Sequence, residues 1–328
     1  MHSVFDKQFQ LIVPRRFAIT CCAFLIAAIL SVLSAYRFLG IDKDYAQYLY
    51  FYRNLSVGYS GRFEVGFVLL SLFAKEIFDS FSALLFFSSF VSLSAKYYLI
   101  SKLPNWYFWG LLYFFALYPL HELTQIRVSV ALGFGYLSIY FSNIRGITAK
   151  SLLFFALAVS FHWTLLFFSP FVFFNKYFQR VDLKFLCFSI FVPSVVLFLC
   201  VGSFSYLNPQ VSHIISLAGE EQANPVSSRN IIMLIVIAIG IFNLKSLHRR
   251  VLPWFYLSVS GISTWYGLMS IPVFAHRILE LTIFSYFFWI PCLPRLSRFL
   301  CMVLFALLSA YLFLDAIYLN PLFGKSLW

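Results

Sequence analysis

The chain has 328 residues, of which 62% are hydrophobic and only 11% charged, with 24 Lys and Arg against 12 Asp and Glu. This composition excludes a water-soluble globular domain, and the +12 net charge, scattered over short loops, excludes a nucleic-acid-binding surface. The six cysteines lie in or beside apolar runs without CxxC spacing, so neither a disulfide framework nor a cysteine metal site is expected.

In chain order, apolar segments are centred on 17–36, 65–79, 80–95, 105–120, 128–143, 151–174, 185–201, 230–244, 251–270, 278–293 and 299–318. Several match the ~20 residues a helix needs to cross the hydrocarbon of a bilayer. They predict an all-α, polytopic integral membrane bundle of about 10–11 transmembrane or re-entrant helices in a single domain over 1–328. Lys7, Arg15 and Arg16 precede a first run too long for a signal-peptide core, so that run is expected to be a signal anchor with a cytoplasmic N-terminus. Two polar stretches, 37–64 and 203–229, are then the larger external loops. With every segment a full crossing, the basic residues divide almost evenly between the two sides, and charge does not fix the topology. In that arrangement Arg180, Lys245, Arg249, Arg250, Arg295 and Arg298 lie inside. Making 80–95 and 185–201 re-entrant inverts the middle of the chain and moves Arg127 outside.

Ionisable groups near hydrocarbon are costly, so each is a candidate for function. The 37–64 loop mixes Arg37, Asp42, Asp44, Arg62 and Glu64 with Tyr45, Tyr48, Tyr50 and Tyr52. Aromatic faces and carboxylates suit a glycan; the same tyrosines also suit an aromatic belt at the membrane interface. The most polar knot between two apolar runs is Tyr118-Pro119-Leu120-His121-Glu122-Leu123-Thr124-Gln125-Ile126-Arg127. The planar Arg127 fork matches phosphate oxygens, the alternative being an arginine that snorkels from a helix end. His162 lies inside the 151–174 run, where it either bonds a neighbouring helix or accepts a proton from a hydroxyl. His276, Arg277 and Glu280 open a late segment, and an Arg277–Glu280 pair three residues apart is the structural reading. No GxxxxGK[ST], GxGxxG, HExxH or GxSxG occurs, which argues against ATP-driven transport by this chain alone.

Gly40 with Asp44, Tyr45 and Tyr48; Arg62-Phe63-Glu64-x-Gly66-Phe67; Ile126-Arg127 with Ala131; Phe161-His162; and Ala275-x-Arg277 together resemble the EpsG family. That family is related to the Wzy-type O-antigen and exopolysaccharide polymerases. The resemblance implies glycosyl transfer outside the cytoplasm, from one undecaprenyl-pyrophosphate carrier to the sugar of an incoming carrier-linked unit. Under it Arg127 and Arg277 take the phosphates, Arg37 or Arg62 help, and Tyr45, Tyr48 and His276 line the substrate. His162, Asp44 or Glu64 is the general base. The inverted topology is preferred because it brings Arg127 to the carrier. The implied partners are the lipid-linked oligosaccharide, the bilayer, a chain-length regulator and a flippase, with no nucleic acid. No cofactor is expected. Asp42-Lys43-Asp44 is formally a DxD pattern, but its central lysine and the nearby arginines make a metal unnecessary. The competing functions are a flippase or exporter of lipid-linked sugars and a lipid-linked glycan ligase.

Overall fold

Helices account for the ordered elements of the computed structural model, which describes residues 13–42, 44–55, 63–180, 182, 224–269, 271–319 and 322–323. Two compact units are distinguished: residues 1–173 with 309–328, and residues 174–308. Among the described residues three helices are long and apolar enough to cross a membrane, Phe17–Ala35, Phe81–Ile100 and Arg295–Tyr318. The protein is an all-α, polytopic membrane protein.

The first unit opens with α1 (Val13–Ala35), which carries no acid and ends where Arg37 takes φ +53° and Gly40 φ +111°. Helix α2 (Tyr45–Asn54) follows within the polar stretch expected as a loop. Then come α3 (Val65–Phe78), α4 (Phe81–Ile100) and α5 (Trp106–Ala116). Ser80 caps α4 by accepting from the Ala83 N–H. Pro119 begins a π-helical connector, Pro119–Thr124, that leads into α6 (Ile126–Arg145). A Thr148–Ser151 capping box starts α7 (Ala149–Phe161), which returns alongside α6. Helix α1 packs on α4, α4 on α6, and α3 against both α4 and α7.

A buried polar network joins α4 to the connector. Lys96 Nζ lies 2.8 Å from Glu122 Oε1 and donates to Ser129 Oγ at 2.7 Å; Tyr113 Oη donates to the same Glu122 oxygen at 2.6 Å. Neither charged side chain reaches solvent. A Lys–Glu pair of this kind is tolerated in an apolar bundle because each charge finds its partner and further hydrogen bonds. The adjacent His121 is buried, and neither ring nitrogen has a hydrogen-bond partner among the described residues.

The second unit contains α8 (Ser228–Phe242), α9 (Leu252–Gly267), α10 (Pro272–Ile283) and most of α11 (Arg295–Leu314). Its densest packing is α9 against α10, and the short helix Tyr286–Trp289 that follows α10 also packs on α9, through the Trp254–Phe288 stack at 4.4 Å and Trp289 Nε1 donating to Ser258 Oγ at 2.9 Å.

Two expectations change. The 80–95 segment is not re-entrant: α4 runs unbroken for 20 residues, about 30 Å, because Glu122 compensates Lys96 and the helix can continue past it, so the expected inversion does not arise there; Arg127 instead shares the side of the 37–64 stretch because it pairs with Glu64. The 151–174 run is not one helix, since α7 ends at His162 and a 3-10 turn, Trp163–Phe168, follows. The expected segment at 185–201 and most of the 203–229 loop lie outside the described residues.

Candidate active site

Three helix ends meet in the first unit. Glu64 is the N-cap residue of α3, yet its side chain does not cap that helix. It reaches across instead, with Oε2 accepting from Arg127 Nη1 and Oε1 lying 2.6 Å from His162 Nδ1. Arg127 occupies the first turn of α6, where the helix dipole disfavours a cation, so the Glu64 carboxylate supplies the local compensation. His162 is the C-cap residue of α7 in extended conformation, which turns its ring out of the helix.

Gly66 makes the convergence possible. A Cβ at this position would stand 2.7 Å from Ser160 Oγ and 2.8 Å from a Phe161 ring carbon, so any side chain here forces α3 away from the end of α7. The close approach two residues after Glu64 and one or two before His162 is what sets their separation.

Electrostatics fix the protonation pattern. Burial alone would raise the Glu64 pKa, but the His162 hydrogen bond and the Arg127 charge outweigh it and hold the carboxyl below its usual range. An ionised carboxylate accepts only, so Nδ1 of His162 carries the proton and Nε2 is the nitrogen left for acid–base work. The Arg127 guanidinium sits 4.5 Å above the Phe63 ring and 5.9 Å from that of Tyr48, and it couples to the Tyr48 hydroxyl. Its Nε is buried without a partner among the described residues.

The remaining candidates divide. Tyr48 is buried against Phe63 and Phe67, while Tyr45 packs edge-on to Phe81 and lies under the Arg37 guanidinium. Arg37 is turned inward: it is 3.0 Å from Asp42 and donates to the Leu123 carbonyl of the π-helical connector. Burial pushes the Asp42 pKa up and the Arg37 pKa down, and since a guanidinium keeps its proton, the pairing is what makes the buried carboxylate tolerable. Asp42 also accepts from the Asp44 N–H at 2.9 Å and bridges to Phe323. Asp44 is half-buried at the start of α2. Arg62 lies outside the described residues. In the second unit Arg277 is exposed on α10, and His276 Nδ1 is 2.6 Å from Arg229 Nη2 and accepts from Trp265 Nε1 at 3.3 Å. Among the described residues no three His, Cys, Asp or Glu side chains are grouped to hold a metal.

Lys96 escaped the sequence reading, as did the partnership of Glu122. The only available signal was a lone lysine four residues after Ser92 at the edge of an apolar run, with an acid in the neighbouring knot.

The family model described as EpsG family matches residues 20–325, nearly the whole chain. The chain belongs to the EpsG family. EpsG is a family of Wzy-like polymerases, and this EpsG protein is therefore, at the coarse level, a membrane-embedded polysaccharide polymerase of glycosyltransferase-like type. No curated protein and no solved structure matches the chain.

Proposed function

We propose that this EpsG protein polymerises polysaccharide repeat units at the periplasmic face of a bacterial inner membrane, as a glycosyltransferase of the GT-C-like kind. Its substrates are a growing glycan on undecaprenyl pyrophosphate and the next carrier-linked repeat of an O-antigen, capsule or exopolysaccharide. The observation that supports this reading is the Glu64 bridge, which holds a cation and an imidazole on one carboxylate.

The reaction joins the acceptor sugar oxygen to the anomeric carbon of the donor glycan. The bond from that carbon to the phosphate oxygen breaks, and the carrier diphosphate leaves with the bonding pair. The acceptor hydroxyl proton passes to Nε2 of His162, whose tautomer Glu64 selects. Arg127 meets the charge that develops on the leaving diphosphate. Glu64 is doubly engaged, which assigns it to positioning and His162 to proton transfer. Tyr45 and the half-buried Asp44 are proposed for the sugar side, and Tyr48, buried beside the Arg127 guanidinium, to steady it from behind. Arg37 holds the connector ahead of Arg127 through the Leu123 carbonyl. Arg277 is proposed for a carrier phosphate from its exposed position on α10, with His276 beside it. A flippase and a chain-length regulator are the proposed partners.

Deleting the gene in its native host tests the reading. Surface polysaccharide should fall to a single repeat per carrier, with the unit still delivered across the membrane. Long chains persisting in that strain would refute it, and units trapped on the cytoplasmic side would identify a flippase instead.

A further inference from the structure

One end of the second unit gathers cations from three separate stretches of sequence. Asn243 Nδ2 donates to Ser297 Oγ at 3.1 Å, which fixes the end of α8 beside the start of α11. Lys245 sits on the turn after α8, and Arg249 and Arg250 on the turn into α9. Tyr256, in the second turn of α9, donates to the Arg180 carbonyl at 3.2 Å and brings that turn to the same end. Arg295 and Arg298 occupy the first turn of α11. Asp182 is the one carboxylate among the described residues of this end.

Arg295, Leu296, Arg298, Phe299 and Met302, all on α11, line a shallow, open groove of about 480 Å³. Leu296 is 72% and Phe299 63% exposed, and the outward face continues through Leu300, Val303 and Leu307. The span from Arg295 is long and apolar enough to cross a bilayer, so these side chains meet acyl chains. Arginines at the start of the span, with apolar residues directly below, reproduce the order of a phospholipid: anionic head, then hydrocarbon. Helix-dipole compensation does not explain them, because a helix N-terminus disfavours cations.

We infer that this groove binds the headgroup of an anionic phospholipid in the cytoplasmic leaflet, with Arg295 and Arg298 on its phosphate and Phe299 and Met302 along its acyl chain. The surrounding Lys245, Arg249 and Arg250 supply the longer-range attraction that retains positively charged loops on the cytoplasmic side. The inference is independent of the polymerase chemistry.

Lipid retention and sidedness test it together. Full-length protein in nanodiscs of mixed phosphatidylglycerol and phosphatidylcholine, released into native mass spectrometry, should retain phosphatidylglycerol preferentially. Arg295→Gln with Arg298→Gln should lower that preference by about 30-fold, the worth of two near-surface arginines. Arg295→Lys with Arg298→Lys should keep most of it, separating lost charge from misfolding. Ser246→Cys, with the six native cysteines replaced, should react with an impermeant maleimide in inverted vesicles and not in intact cells. Equal retention of the two lipids, displacement of phosphatidylglycerol by inorganic phosphate alone, or labelling from outside the cell would overturn the inference.

Discussion

His162 Nδ1 lies 2.6 Å from Glu64 Oε1 although 98 positions separate the two residues in sequence. That contact fixes the imidazole tautomer, and in the proposed reaction it leaves Nε2 to take the proton. Replacing His162 by Ala should lower polymerisation about 10²- to 10⁴-fold, the usual worth of a positioned general base, with membrane insertion unchanged. Chain-length profiles of membranes matched for protein level check this; a normal profile would remove His162 from the chemistry.

Arg127→Ala should act on the leaving group. The expected loss is about 10²- to 10³-fold in kcat, comparable to removing one preorganised charge-stabilising donor. Arg127→Lys should recover only part of it, since an ammonium lacks the fork. The comparison is informative only if the repeat unit still binds, so kcat and KM are measured separately.

The acid side of the stability profile follows from Glu64. Its folded-state pKa lies below the unfolded value, so its pairing stabilises the protein fully above the ordinary carboxylate pKa and is lost as pH falls through the lowered one. Asp42 has the opposite sign: its raised pKa makes protonation favour the folded state as pH falls. Glu64→Gln should therefore flatten the acid-side fall in Tm, whereas a profile matching wild type would show that the ion pair is not formed in solution.

Gly66→Ala tests how the site is assembled. The added methyl meets Ser160 and Phe161, so α3 must shift from the end of α7 and draw Glu64 off His162. We expect an inserted protein with activity reduced toward that of Glu64→Gln. Wild-type activity in this variant would mean the helix contact is loose.

Lys96 and Glu122 form a separate structural element. Lys96→Met alone leaves a buried carboxylate uncompensated and should cost about 3–5 kcal/mol, whereas Lys96→Met with Glu122→Leu should recover most of it. Thermal melting of the detergent-solubilised proteins gives both values.

How much of this was legible depended on the range of the interaction. Hydropathy located α1, α4 and α11 because a spanning helix announces itself as a long apolar run. Glu64, Arg127 and His162 stood out singly as ionisable groups beside apolar runs, but their union was not visible, because partners so far apart leave no local pattern. The break at His162 was hidden for a related reason: no Pro or Gly marks it, and a tertiary hydrogen bond holds the extended residue. Arg37 read as an open cation because the sequence does not show that Asp42 and the Leu123 carbonyl surround it. Lys96 was missed because a lysine inside an apolar helix is stable only against Glu122, on a different segment.

The most direct test of the central claim uses purified protein in liposomes with one synthetic diphosphate-lipid-linked repeat unit and no nucleotide sugar. The account predicts a ladder of lengthening glycans with one free carrier diphosphate released per bond formed, and unchanged turnover when chelator is added. Substrate that is only moved across the bilayer, or passed to a second lipid without elongation, would contradict it.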